Sequence, residues 1–247
     1  MTSVFKAVLP LVFLPQTVLA EGIWDQIDGT FGIGIVGTSG VYFGQDDELY
    51  PFPYLALTFG NVTVNLAKGV EYSFRPADNL QLSTALTFNG APDQPETALF
   101  QGLDRDAWIG GELAVVYELG SVDLGLTTAF DVSGEHDGYS SDLSIGQSFP
   151  LGEGMVEASI GATFLDANYA GYLYGVANGE VTAARAAYAP GGNWTPRVEV
   201  SALYPVSQNT AVAGFFEHAI LPDAISDSPL VGVDERTTIG LTWIRKF

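Results

Sequence analysis

The chain has no cysteine, only two histidines and two methionines, and nine basic residues among its 247. Without cysteine, a disulfide framework, a thiolate metal centre and an N-terminal lipidated cysteine are all excluded. Nine basic residues stand against 29 acidic ones, a net charge of −20. Such a charge repels nucleic-acid phosphates and opposes direct adhesion to anionic headgroups unless divalent cations bridge the two. A long apolar run is missing as well. Beyond residue 20 no stretch approaches the ~20 apolar residues of a membrane-spanning helix, which excludes a helical membrane protein. Yet hydrophobic residues make up 47% and aromatics 12% of the chain, so it is not a disordered acidic polymer. The hydrophobicity is present but dispersed.

The first twenty residues set the compartment. Lys6 is their only charge; an apolar run from Ala7 to Leu14 follows, and Val18-Leu19-Ala20 closes the segment. A positive start, a short apolar middle and small residues at the exit form the pattern of a secretory signal. The run is too short to anchor in a bilayer, and Pro10 and Pro15 interrupt it. Residues 1–20 therefore read as a cleaved signal peptide and 21–247 as one all-β domain. Losing Lys6 leaves eight basic residues against 29 acidic, a net charge of −21.

In the mature part the hydrophobic period is two. Val122, Leu124, Leu126, Thr128, Phe130 and Val132 alternate with Asp123, Gly125, Thr127, Ala129 and Asp131. The same pattern recurs in Asp28–Thr38, Tyr50–Phe59, Leu80–Phe88, Ala107–Leu119 and Tyr139–Phe149, then in Val156–Leu165, Trp194–Val206, Thr210–Leu221 and Arg236–Phe247. Successive side chains of a strand point to opposite faces, so each segment has one apolar face and one of small or polar residues. Many segments are long enough for a tilted membrane crossing, whereas a usual globular strand has about 5–6 residues. Aromatics stand near strand ends, among them Phe88, Tyr117, Phe149, Tyr204 and Trp243, where interfacial girdles belong. Short turns (Arg75–Asn79, Gly120-Ser121, Pro150–Gly154, Ser207–Asn209) alternate with long polar segments (Asn89–Asp106, Ser133–Gly138, Asp166–Asn193, Pro222–Glu235). Tight turns on one side and long loops on the other describe an up-and-down antiparallel β-barrel of a Gram-negative outer membrane, the turns toward the periplasm. Val62–Phe74 is either one strand or two short ones broken at Lys68-Gly69. Because single-chain bacterial barrels close with an even number, the broken version predicts about twelve strands, with ten as the fallback. The chain ends in an alternating strand, with Trp243 and Phe247 on one face, which looks like the recognition signal of the barrel assembly machinery.

Alternation also nominates a lumen face. It carries Glu112, Asp123, Asp142, Glu157, Arg197 and Glu199 among many Gly, Ser and Thr. Two readings follow: a narrow cation-preferring pore, or a closed lumen in which Arg197 bridges acids. Acidic clusters in the loops, such as Asp46-Asp47-Glu48 and Asp104 with Asp106, read as solvated, or as bridged by divalent cations to lipopolysaccharide phosphates. Neither a metal-ligand spacing nor a cofactor motif is present. His136 sits in a Gly- and Asp-rich loop and reads as solvated. His218, with Ser226 and Ser228 downstream, meets the minimum for a lipid hydrolase. Glu217 and His218 are adjacent, however, and point to opposite faces of a strand, so the expectation is a non-enzyme.

Tyr172-Leu173-Tyr174-Gly175-Val176, followed by Tyr188-Ala189-Pro190-Gly191-Gly192, resembles the MipA/OmpV family of outer-membrane proteins. So does Leu221-Pro222-Asp223-Ala224-Ile225-Ser226-Asp227-Ser228-Pro229-Leu230-Val231, with Tyr50-Pro51-Phe52-Pro53-Tyr54 and Thr242-Trp243-Ile244-Arg245-Lys246-Phe247 at the ends. The likeness spans the whole mature chain and rests on Tyr174, Gly175, Asp227, Ser228 and Pro229 in particular. It departs at His218, where an Arg-like residue is expected. The resemblance implies an outer-membrane location and a structural or scaffold role linking a lytic murein transglycosylase to a murein synthase. Porin-like or adhesin-like behaviour is its other implication, and it brings no catalytic residue.

Overall fold

A computed structural model describes residues 27–247; the expected signal peptide and its cleavage point lie outside the described residues. The chain forms twelve antiparallel strands: β1 (Ile27–Thr38), β2 (Glu48–Phe59), β3 (Val62–Asn65), β4 (Gly69–Ala77), β5 (Leu80–Asn89), β6 (Trp108–Leu119), β7 (Val122–Asp131), β8 (Tyr139–Leu151), β9 (Gly154–Leu165), β10 (Asn193–Ser207), β11 (Thr210–Ile220) and β12 (Glu235–Lys246). Each pairs with its neighbours in sequence, and β12 returns to β1 to close the barrel. Closure leaves no free end strand, which hydrocarbon demands because it offers backbone groups no water. The doubtful segment is two strands, with the break at Leu66–Lys68.

The wall strands turn an apolar side outward, and β2 departs from the expected alternation by facing Tyr50, Phe52 and Tyr54 inward as well. Phe31, Ile33 and Ile35 on β1, Leu143 and Ile145 on β8, and Ile239 and Leu241 on β12 are all exposed, which places them against lipid. Aromatic contacts mark the rims. At the loop end Phe164 lies 6.0 Å from Tyr139 and 5.2 Å from Trp194. At the turn end Phe31 lies 6.0 Å from Trp243 and 5.9 Å from Phe247. The Phe247 amide donates to the Gly29 carbonyl at 3.0 Å, and its ring covers the Gly29 α-carbon so closely that a Cβ there would clash. The seam between β1 and β12 is thus closed by the final residue.

The turns are smaller than the sequence suggested. β4 runs on to Ala77 and β8 to Leu151, so the segments Arg75–Asn79 and Pro150–Gly154 shrink to the pairs Asp78-Asn79 and Gly152-Glu153. Gly60, Gly120 and Gly152 open three such pairs with φ of 59–68°, as a two-residue hairpin with a glycine first requires. One strand is far too short: β3 has four residues, a reach of roughly 13 Å along the strand, against an apolar band ~25 Å tall. It pairs with β2 only from Ala56 to Phe59.

The loops fold together into a cap with a core of its own. The 39–47, 90–107, 166–192 and 221–234 segments contribute Val41, Tyr42, Phe100, Ala170, Tyr174, Ile225, Leu230 and Val231 to one buried cluster. A helix α1 (Ala167–Tyr174) is capped by Asp166, which accepts from the Tyr169 amide at 2.9 Å; a single turn α2 (Asp223–Ser226) follows β11. Arg185, 3% exposed, staples two loops by donating to the Leu99, Gln101 and Glu180 carbonyls. Arg105 grips Glu180 with two bonds of 2.6 and 3.1 Å and the Tyr172 carbonyl with a third.

Candidate functional site

Beneath the cap lies a cavity of about 1010 Å³ inside the barrel. Its wall is aromatic because β2 turns Tyr50, Phe52 and Tyr54 inward, and β6 and β11 add Trp108 and Phe215. Glycines on the inner face give these rings room: a Cβ on Gly34 would strike Phe52, and one on Gly240 would strike Phe215. Tyr42, Tyr172 and Tyr174 of the cap form the ceiling. Burial holds Tyr42 and Tyr174 above the usual phenol range, with Arg105 and Arg236 pulling slightly the other way, so both remain neutral hydroxyls.

The sequence-derived lumen residues fall into two sets. Arg197 on β10 donates to both Asp142 oxygens, from Nη2 at 2.7 Å and Nε at 3.1 Å, and to Glu199 at 2.9 Å. Thr163 adds a 2.8 Å bond to Asp142. Glu112 on β6 receives Lys68 at 2.7 Å, and Lys68 also pairs with Glu71. Asp123 and Glu157 stand nearer the turns, on either side of Gly146: Asp123 is its register partner on β7, and a Cβ on Gly146 would lie 2.7 Å from the Glu157 carboxylate. Among the described residues these two carboxylates take part in no ion pair within 4 Å. Lys68, Arg197 and Arg236 are each answered by carboxylates, so the excess over them leaves the lumen net negative.

Sequence reasoning missed Lys68, Glu71 and the Arg236–Glu217 pair at 2.9 Å. Glu71 was legible, since Val70 and Tyr72 beside it are the outward phase. Lys68 was not: it lies in the β3–β4 connection, where alternation assigns no face. His136 corrects an expectation. It is not a solvated loop residue; its ring stacks on Tyr169 at 4.4 Å and meets Trp108 edge-on at 4.6 Å. Asp131 causes this by gathering the amides of Ser133, Gly134, His136 and Asp137, which folds the loop inward. Burial lowers the His136 pKa, against the raising influence of Asp131, Asp166, Glu135 and Asp137. His218 bonds Thr237 at 3.0 Å and lies 3.7 Å from Glu235. The Ser226 and Ser228 hydroxyls are committed to the Pro222 and Tyr174 carbonyls. The acidic loops bring no three metal-ligating side chains together among the described residues.

The residues that carry the family likeness meet in the cap. Ser228 donates to the Tyr174 carbonyl at 2.6 Å and accepts from the Leu230 amide. Gly175 follows α1 where a Cβ would press on the Gly171 carbonyl. Asp227 closes α2 by donating its backbone N–H to the Asp223 carbonyl, and Pro229 continues the chain into the buried Leu230. Two segments about fifty residues apart thus form one contact.

Comparison with known proteins agrees. The model of the family described as MltA-interacting protein MipA matches residues 31–247. A putative outer membrane protein YiaT of Escherichia coli (strain K12) is 27% identical over 120 residues, 47% of this chain and 49% of that protein; the match spans about half of that relative's length. The outer membrane protein OmpV of Vibrio cholerae is 26% identical over 178 residues, 70% of this chain and 69% of the relative. The MltA-interacting protein of Escherichia coli (strain K12) is 26% identical over 205 residues, 81% and 82% of the two chains. A closed twelve-strand wall, an apolar outer face and a match over nearly all the described residues lead to one assignment: the chain belongs to the MltA-interacting protein MipA family and is an outer-membrane β-barrel protein.

Proposed function

We propose that the protein is a non-enzymatic barrel whose capped, net-negative lumen accommodates small uncharged or cationic solutes. The cavity of about 1010 Å³ carries this reading; it is at the upper end of small-molecule sites, and its walls are aromatic with acids behind them. The commitment of both cap serines to carbonyls, away from His218, supports the non-enzymatic part. Asp123 and Glu157 provide the surplus charge that favours cations near the turns.

Protein reconstituted in a planar bilayer should give stepwise, cation-favouring conductance. Replacing Asp123 and Glu157 by Asn and Gln should reduce the cation preference several-fold while heat-modifiable gel mobility stays intact. Silence across voltages would remove the passage reading.

Kinship supports a second reading, a scaffold for murein-remodelling enzymes, because one relative is named an MltA-interacting protein. A lytic murein transglycosylase and a murein synthase would then dock at the periplasmic turns. All five of those turns are two-residue pairs, and a shallow hollow of about 460 Å³ lies beside one of them, at Ser207–Thr210 and Arg245. Lipopolysaccharide around the outer rim and the assembly machinery, reading Trp243 and Phe247, complete the proposed partners. Crosslinking in cells followed by capture should recover a transglycosylase on the scaffold reading.

A further inference from the structure

A continuous barrel wall separates its inner from its outer side chains, but at one place this wall does not. The cavity that touches inward Tyr50, Phe52 and Tyr54 also touches Leu49, Pro51 and Pro53, which alternate with them on the lipid face of β2. Across from these it reaches Leu66 and Phe88. Leu49 is 72% and Phe88 64% exposed, so both line the cavity and the outer surface at once.

The cause is β3. Its pairing with β2 stops at Ala56, and the next contact, from the Leu66 amide to the Leu55 carbonyl, is the last backbone bond on that edge before the connection turns away. Towards the loop end, β2 continues with Pro53 and Pro51 while keeping its register with Ile33 and Ile35 of β1. Proline has no amide hydrogen, so the missing donors lie on the other edge, the one β3 fails to reach. Two prolines there also prevent a foreign strand from pairing with that edge. Lys68, 13% exposed, ties the tip of the β3–β4 hairpin inward to Glu112 of β6, which holds the wall low at this point. Because β2 runs from the loop end towards the turns, the gap faces the outer leaflet.

Its chemistry selects what passes. The rim is apolar, the surface behind it aromatic, and the innermost side chains acidic, with Lys68 and Arg197 already paired. Tyr42, Tyr172 and Tyr174 close the watery side above. Anionic lipids, lipopolysaccharide included, are opposed by the charge. We propose that the gap between β2 and the β3–β4 hairpin is a lateral portal through which an uncharged or cationic amphiphile moves between the outer leaflet and the lumen. The proposal rests on the lumen being a small-molecule compartment.

The test uses the neutral arylamine N-phenyl-1-naphthylamine with the full-length mature protein in lipid nanodiscs. Energy transfer from Trp108, taken as the difference between wild type and Trp108→Phe in the slow phase that follows rapid partition of the probe into the nanodisc lipid, reports probe arriving in the lumen. Because the chain has no cysteine, L66C introduces a unique thiol at the gap, to be blocked with a bulky aryl methanethiosulfonate and released by reductant. L126C, on the lipid face of β7, is the control. Blocking L66C should slow probe arrival about tenfold, reductant should restore it, and blocking L126C should change nothing. Equal arrival with L66C blocked, or equal slowing by both blocks, would overturn the lateral route while leaving the lumen reading in place. Absence of Trp108-dependent transfer in every variant would reject both. If L66C fails to show heat-modifiable mobility, P53C on the opposite side of the gap takes its place with the same expectations.

Discussion

In the wall, Ile33, Ile145 and Leu241 turn outward and stay exposed, whereas in the cap Ile225, Leu230 and Val176 are shut away from every solvent. The same residue types serve opposite ends because the two regions face different media. Burial against other side chains gains nothing over lipid for the wall, which is held by its closed ladder of backbone bonds. The cap stands in water, so it gathers a core by the ordinary hydrophobic effect and stitches it with Arg105 and Arg185. The wall has its ion pairs inside and its grease outside; the cap buries its apolar core and shields the Arg105–Glu180 pair along with it. One chain therefore contains two stability problems that respond to different substitutions.

The sharpest way to separate them is to carve the cap core. Leu230→Ala at a fully buried site should cost about 2–5 kcal/mol locally. Limited proteolysis should then cut the 221–234 segment faster while the barrel keeps its heat-modifiable mobility; loss of that mobility would mean that cap and wall fold as one unit. A charge on the lipid face tests the converse. Ile145→Arg, at a position that would be harmless on a protein in water, should cost about 2–4 kcal/mol near the bilayer midplane, measured by urea refolding into vesicles with cap proteolysis unchanged. Removing the staple is next: Arg185→Ala takes the shared buried guanidinium away from the Leu99, Gln101 and Glu180 carbonyls, a loss on the order of 1–3 kcal/mol. Hydrogen exchange should rise together in the 99–101 and 180–185 segments, and a rise in only one would show that the staple joins nothing.

Acid should loosen the cap too, and more gently. Burial depresses the folded-state pKa of His136, so its contribution is complete above the ordinary value of 6.5 and is lost as pH falls below that. Glu180, depressed chiefly by the bond from Arg105, behaves the same way and is lost below its ordinary 4.5. Cap proteolysis should accelerate in two steps on acidification, the first beginning as pH falls below 6.5. His136→Gln should abolish that first step and leave the second; a first step that persists would assign it elsewhere.

Much of the wall could be read from residues alone. Alternation in Val122–Val132 places Leu124 and Leu126 outward without reference to anything distant, and Lys68-Gly69 marks the break that makes the count twelve. Asp142, Arg197 and Glu199 could be put on a common face, but not joined, since register between β8, β9 and β10 decides which carboxylate meets the guanidinium. His136 was misjudged because a loop residue has no period; only the gathering of amides around Asp131 turns it inward. The prolines of β2 were visible as a motif, yet their meaning required knowing that β3 stops short beside them.

By itself, then, the sequence determined the period and the lipid-facing side of each strand, because these depend on neighbours two residues apart. The tertiary structure alone decided that the loops fold into a cap, that Lys68 reaches Glu112, and that one cavity touches both faces of β2. Those depend on contacts such as the Tyr42 hydroxyl to the Leu173 carbonyl, 131 residues away, and no local pattern encodes the closure that brings such partners within 3.1 Å.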